Sequence, residues 1–264
     1  MDDTSLDKML KPTDRDFVAA LASGLDVIMA FDDTHPRMTL SEVASRTDMN
    51  RAKARRFLLT LHSLGYVRKH QRYFELTPKV LQLGYSYLSS NHHRSVIQHY
   101  LEDITRSTGE SSSLGVLDGD EVIYIARSSA PHRLMAITLS IGTRLPAAYT
   151  SMGRVLLAQL GDEELDDYLE RLELTPHTNK TLTRHDDLKT AILSARQQGY
   201  AIVDQELDSG LRSIAIPAFD TEGKLLGALN ISTNAARVDM DTLLESYLPL
   251  LKEKARQIQL SVSS

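Results

Sequence analysis

The 264-residue sequence contains no cysteine and no tryptophan. Without cysteine there is no disulfide, no thiolate metal site and no thiol nucleophile. No apolar run approaches the roughly 18 residues that would span a bilayer. Residues 1–12 are polar and lack the apolar core of a secretory signal. No Gly-x-Ser-x-Gly elbow, Walker loop or dinucleotide fingerprint occurs, and Gly153 and Gly161 follow no phosphate-loop pattern. Ser151 stands at a helix start without an evident histidine partner, which favours a cap over a nucleophile. His92, His93 and His99 resemble metal ligands, but no third ligand accompanies them at a metal-like spacing. The expectation is a cytoplasmic protein that is not an enzyme, with no catalytic residue, cofactor, metal or membrane partner.

Hydrophobic residues make up 42% and charged residues 25%. That is ordinary for a soluble globular chain, and the length suggests two modest domains. The net charge of −5 is unevenly spread. Residues 1–36 carry a net −5, and residues 80–264 a net −7. Residues 37–79 hold ten Lys or Arg against three acids, a net +7. A compact basic block between acidic flanks is the footprint of a nucleic-acid-binding module attached to something else.

Within and just before that block the apolar spacing predicts three helices. Residues 16–31 form the first, with Phe17, Leu21, Leu25 and Ile28 on its buried face. Thr39 and Glu42 make a capping box for the second, whose inner face is Leu40, Val43 and Ala44. Asp48-Met49-Asn50 is a short turn, with Asn50 as the next N-cap. In the third helix, residues 51–64, Ala54, Phe57, Leu58, Leu61 and Leu64 recur at helical spacing. Arg51, Lys53, Arg55, Arg56 and Thr60 point elsewhere. Four cations near a helix N-terminus oppose the helix dipole, an arrangement that DNA phosphates and base edges would make favourable. Gly65 stops this helix. Residues 66–68 and 72–76 then read as strands flanking Lys69-His70-Gln71, a wing that offers Lys69, His70 and Arg72 to phosphate or a minor groove. Helix, helix, basic helix and basic hairpin in that order are a winged helix-turn-helix. With Thr39, these basic and polar residues are the candidate DNA contacts. The alternative is a helical module with a solvated basic face.

Thr77-Pro78 opens a further helix, residues 79–88, rich in Val80, Leu81, Leu83, Tyr85 and Leu88. Two readings stay open for it: a linker that also packs on a partner subunit, or an ordinary buried helix. Ser89-Ser90-Asn91 marks a boundary, and residues 95–108 form an amphipathic helix. Strands are predicted over 112–117, 121–128, 134–141, 201–204, 211–219 and 225–233, with Asp118-Gly119-Asp120 as a hairpin turn. Helices are predicted over 151–160, 162–172, 186–198 and 239–262. Antiparallel strands with helices grouped between and around them give an α+β domain.

Several motifs of the second half stand in an order and spacing that resemble one family. They are Leu145-Pro146-Ala147, the run from Thr150 to Ala158, and the stretch 199–232 with Asp204-Gln205-Glu206, Gly210-Leu211-Arg212-Ser213 and Ala228-Leu229-Asn230-Ile231-Ser232. The chain resembles the IclR family of bacterial transcription regulators over nearly its whole length. Arg144-Leu145-Pro146-Ala147, Asp204-Gln205-Glu206-Leu207 and residues 85–90 resemble the branch that controls aromatic-acid catabolism and responds to protocatechuate, para-hydroxybenzoate or β-ketoadipate. The resemblance implies a DNA-binding domain over 14–77, a linker helix over 78–90 and a GAF-like α/β effector-binding domain over 91–264. It also implies a homodimer or dimer of dimers, double-stranded promoter DNA as partner, and a small carboxylate effector.

By position in the family, the effector pocket faces the central sheet and is closed by the loop before Ser151. The polar candidates carried over are Ser151, Asp204, Ser213, Asn230 and Ser232. Asn230 and Ser232 alternate along a strand and share a face. Arg144 and Arg212 are candidate counter-ions, since a guanidinium forks onto a carboxylate, and Tyr149 is a candidate aromatic wall. An Asp204–Arg212 ion pair is the alternative use of those two charges. Ser213 and Ser232 are alternatively satisfied core hydroxyls, and Arg127 and Arg133 read as surface residues.

Overall fold

The computed structural model describes residues 10–90, 93–130 and 139–262. The chain divides into two compact units, Met1–Ser90 and Asn91–Ser264.

In the first unit α1 (Ala19–Met29), α2 (Leu40–Arg46) and α3 (Arg51–Ser63) enclose a small core with Val27, Met38, Val43, Ala54, Leu58, Val67 and Phe74. The helix starts are local chemistry. The Thr39 hydroxyl accepts from the Glu42 amide while Glu42 Oε2 accepts from the Thr39 amide at 2.6 Å, the expected capping box. Asn50 caps α3 by accepting from Lys53 N at 2.8 Å. Gly65 ends α3 at φ +80°. The wing is β2 (Val67–His70) and β3 (Tyr73–Leu76), closed by a tight Gln71-Arg72 turn with His70 opposite Tyr73. A strand not foreseen, β1 (Met38–Thr39), pairs with β3, so the sheet order is β1-β3-β2.

Two expectations are corrected here. Helix α1 starts at Ala19, and its buried face is Ser23 and Val27, continuing into Ala30. Leu21 is 64% exposed and Leu25 44%, so the larger side chains face outward. In α3, Leu64 lies at the C-cap and is exposed, while Phe57 is half-buried. Beyond the wing, Thr77 caps a 3-10 turn (Pro78–Val80) that leads into α4 (Leu81–Ser90). Residues 81–87 of α4 are all exposed.

The second unit is one antiparallel sheet between two helical layers. Its strands are β4 (Ser111–Asp118), β5 (Glu121–Ser128), β6 (Arg144–Pro146), β7 (Ala201–Asp204), β8 (Leu211–Phe219) and β9 (Leu225–Asn234), in the order β6-β5-β4-β9-β8-β7. On one face Ile214, Ile216, Leu229 and Ile231 pack with α5 (Arg94–Thr108) and α10 (Leu248–Ser261). On the other, Val122, Tyr124, Ala215 and Ala228 pack with α6 (Ser151–Leu157), α7 (Asp162–Arg171) and α8 (His185–Gln198). The side-chain period of two sends alternate residues of each strand to opposite layers. The expected closing helix is broken. Short α9 (Met240–Thr242) passes through a π turn, Leu243–Tyr247, before α10. Pro249 follows directly, and it has no N–H to continue the ladder. Most of the strand expected over 134–141 lies outside the described residues, and β6 follows it.

Gly153 fixes how closely α6 approaches the turn before it. A Cβ there would stand 2.0 Å from Ala147 O, so no larger residue fits.

Candidate functional site

Two regions concentrate groups that folding alone leaves without a use. The first is the outer face of α3 with the wing. Arg51, Lys53, Arg55 and Arg56 are exposed, and the first turn of α3 holds no acid. Two arginines of this unit are paired, Arg46 with Asp32 at 2.6 Å and Arg68 with Glu75 at 2.7 Å. Among the described residues, Arg51, Lys53, Arg55, Arg56 and Lys69 have no acidic partner. Lys69 and His70 are exposed at the wing tip. The Arg72 guanidinium lies 5.2 Å from the Tyr73 ring and donates to its hydroxyl at 3.1 Å. Thr60 turns its hydroxyl back to Arg56 O at 2.9 Å. Thr39 is occupied by the capping box, whose hydrogen bonds hold the Glu42 carboxyl below its usual range. Free cations beside the positive end of a helix dipole disfavour the isolated state and favour a polyanion.

The second region is a cavity of about 20 Å³ on the α6 face of the sheet. Ser213, Asn230 and Ser232 line its floor, and Ser151, Tyr149 and Thr150 its helical side. The strand register explains the floor: Ser213 pairs with Ser232, and Asn230 lies two residues along the same strand. Asn230 Nδ2 donates to Ser232 Oγ at 2.9 Å. Asn230 Oδ1 and Ser151 Oγ are buried, with no hydrogen-bond partner among the described residues. Buried polar atoms are nearly always satisfied, so two orphans facing one cavity call for an occupant. Tyr149 is fixed as a wall: its hydroxyl accepts from Thr175 N at 2.7 Å, and its ring stands edge-on to His177 at 4.8 Å.

The two cations expected as counter-ions lie elsewhere. Arg144 donates to Glu121 Oε2 at 2.6 Å and to Asp118 Oδ2 at 2.7 Å on an exposed edge. Its neighbour Leu145 is the residue of β6 that faces the cavity, so alternation turns Arg144 away. Arg212 and Asp204 pair with each other at 2.7 Å, directly across the β7–β8 ladder. Val203 and Ser213 face the cavity, so Asp204 and Arg212 take the opposite face. Burial pushes the Asp204 carboxyl up, but hydrogen bonds from Arg212, Lys180 and Gln205 prevail and bring it down to about 2. Sequence reasoning did not single out Tyr124, Leu139, Met152, Val203, Leu207 and Leu211, which complete the lining. They are apolar or aromatic, and nothing in their spacing separates them from core residues.

Outside these regions His99 is exposed beside Asp103, His93 is half-buried, and His92 lies outside the described residues, as does Arg133. Among the described residues no group of three His, Cys, Asp or Glu could hold a metal, and no helix is long and apolar enough to cross a membrane.

Two family models match the chain in order. The IclR helix-turn-helix domain covers residues 20–71, and the bacterial transcriptional regulator IclR C-terminal domain covers residues 85–260. The Pca regulon regulatory protein of Pseudomonas putida is 44% identical over 93% of this chain and 84% of its own length. The p-hydroxybenzoate hydroxylase transcriptional activator of Acinetobacter baylyi is 36% identical over 92% of both chains. A solved transcriptional regulator from Rhodococcus sp. RHA1 is 50% identical, covers 92% of this chain and 98% of its own, and superposes with a TM-score of 0.80. The inducer-binding domain of the Acinetobacter PobR transcription factor, solved as a double mutant with 3-hydroxybenzoic acid, is 32% identical. It covers 64% of this chain and 98% of its own, with a TM-score of 0.59. The unpaired cations of α3 and the cavity on the sheet therefore fall within two domains of known kind, and the chain belongs to the IclR family of DNA-binding transcriptional regulators.

Proposed function

We propose that this chain is a cytoplasmic regulator that binds promoter DNA as a homo-oligomer and answers to a small carboxylate, an aromatic acid of catabolism above all. Residues 14–77 act as the DNA-binding domain, 78–90 as linker and 91–264 as effector domain. Arg51, Lys53, Arg55, Arg56 and Thr60 of α3 meet the major groove and its phosphates, and Lys69, His70 and Arg72 meet the flank. Ser151, Ser213, Asn230 and Ser232 hold the effector against the Tyr149 wall. A regulatory rather than catalytic role is supported by Ser151 Oγ, which has no hydrogen-bond partner among the described residues to act as its base.

The observation that carries this reading is the pair of orphaned atoms, Asn230 Oδ1 and Ser151 Oγ, facing one cavity. The aromatic class is supported by Tyr124 and Tyr149 in the lining and by the 3-hydroxybenzoic acid held by the Acinetobacter relative. A homo-oligomer is supported by apolar side chains left in water: Val18, Leu21, Leu25 and Met29 along α1, and Leu81 and Tyr85 on α4.

The cavity as closed has room for one water, whereas a cavity of roughly 150 Å³ holds benzene. An aromatic acid therefore needs a wider cavity than the closed one. A short keto acid, which also exceeds one water but needs a smaller widening, is the second reading.

Melting temperature measured against protocatechuate, 4-hydroxybenzoate, β-ketoadipate, muconate and pyruvate separates the two, because a ligand that binds only the folded state raises it. A dose-dependent rise with an aromatic acid supports the first reading, and one with pyruvate alone supports the second. No shift with any of them overturns the effector class and leaves the DNA-binding reading standing.

A further inference from the structure

Arg127 is a half-buried cation on the cavity face of the sheet with no opposite charge paired to it among the described residues. Register places it there. Arg127 pairs with Ser113 across β4–β5, and Ser113 pairs with Asn230 across β4–β9, so the three side chains share one face. Arg127 Nη1 donates to Ser113 Oγ at 3.0 Å. Neighbouring strands lie about 4.8 Å apart, so a guanidinium seated on Ser113 stands one strand from Asn230. Tyr124, a wall of the cavity, is three residues earlier, which in an unbroken strand would put it on the opposite face. A bulge between Leu114 and Gly115 of the partner register inserts Ile125 and brings Tyr124 and Arg127 to the same side.

The environment of Arg127 is unfinished in two ways. Its Nε is buried with no hydrogen-bond partner among the described residues. No described carboxylate pairs with it, and residues 131–138, which follow β5 closely, contain no Asp or Glu. Holding a charge out of water without a counter-charge is costly, and folding alone would replace it. Burial accordingly lowers the guanidinium pKa and pushes the Tyr124 hydroxyl up to about 12. Arg144 and Arg212, by contrast, are already neutralised by their own acids.

We propose that Arg127, which shares the cavity's face of the sheet but stands outside the lining of the closed cavity, is its anion-recognising residue once an effector widens it: its free guanidinium edge takes the effector's carboxylate, while Asn230 and Ser151 contact the rest of the molecule. This rests on the effector reading above and narrows it, since the ligand must be an anion at the Arg127 end. Amides and esters of the same skeleton are then poor ligands, because they offer one neutral acceptor where the fork needs two charged ones.

The test is calorimetric titration of the full chain and of Arg127→Gln with 4-hydroxybenzoate and 4-hydroxybenzamide, with melting temperatures of both proteins free of ligand. The wild type is expected to bind the acid at least tenfold more tightly than the amide. Arg127→Gln is expected to lose tenfold or more for the acid, to treat both ligands alike, and to melt no lower than wild type when empty. A variant that binds the acid as the wild type does overturns this inference alone. A variant that melts many degrees lower when empty makes Arg127 a structural residue and also overturns it. A wild type that binds neither ligand overturns this inference together with the aromatic-acid reading.

Discussion

Arg154 and Glu206 form a buried two-pronged ion pair, Nη1 to Oε1 at 2.8 Å and Nη2 to Oε2 at 2.5 Å. It ties α6, whose first residue lines the cavity, to the turn after β7, whose Leu207 also lines it. Arg154 Nε further donates to Ala148 O at 3.1 Å, and Thr181 donates to Glu206 O at 2.6 Å. The pair therefore holds two walls of the cavity at a fixed separation.

Breaking one side strands the other charge. Glu206→Ala or Arg154→Ala is expected to cost about 3–5 kcal/mol of stability, read by urea unfolding. Replacing both residues with apolar ones of similar size recovers most of that loss, because neither charge is then buried alone. Equal losses in the single and double variants would contradict this account of the pair.

Gly153 sets the approach of α6 to the Ala147 turn, and a Cβ there meets backbone rather than a movable side chain. Gly153→Ala is expected to destabilise by about 3 kcal/mol, at the upper end of overpacking costs, and to shift the Ser151 end of the cavity. Chemical unfolding measures it; a change under about 0.5 kcal/mol would show that the backbone yields freely.

Asp204 makes an acid-side contribution of known sign. Its carboxyl sits at about 2 when folded, below the roughly 3.9 of an unfolded chain. The stability it supplies is fully present above about pH 4 and is lost as pH falls through about 2. Melting curves between pH 5 and pH 2 are expected to fall less steeply for Asp204→Asn than for wild type. Parallel curves would mean that Asp204 is not held by Arg212 and Lys180 in solution.

These predictions draw unequally on what the sequence could disclose. The capping box at Thr39 and Glu42, the Asn50 cap and the Gly65 stop were legible because each depends on residues three or four apart. Strand β1 was not, since two residues pair with β3 only once the hairpin exists. The inner face of α1 was misread because small residues, Ser23 and Ala30, are buried while Leu21 and Leu25 face out. Ser151, Ser213, Asn230 and Ser232, carried over from the family pattern, line one cavity. Alternation alone could have removed Arg144, Asp204 and Arg212, each next to a residue that faces the cavity. Arg127, read from sequence as a surface residue, is half-buried on the cavity's face of the sheet, where the bulge at Ile125 resets the count along β5.

The cations of α3 make a prediction that separates electrostatic from base-reading contacts. Arg55→Ala and Arg56→Ala are each expected to weaken DNA binding. A residue on phosphate lowers the slope of log K against log salt by about one, while a residue on a base edge costs about 1–3 kcal/mol on the preferred sequence only. Anisotropy titrations across a salt series assign each residue to one class. A variant pair with unchanged affinity and slope would leave α3 as a solvated face.

The most direct measurement is the affinity of the full chain for a duplex from upstream of its own gene, against a random duplex of equal length, with and without 4-hydroxybenzoate. The account predicts preferential, salt-dependent binding to the upstream duplex and an affinity or occupancy that changes with the acid. Equal affinity for both duplexes, unmoved by the acid, would contradict a ligand-controlled, sequence-specific regulator.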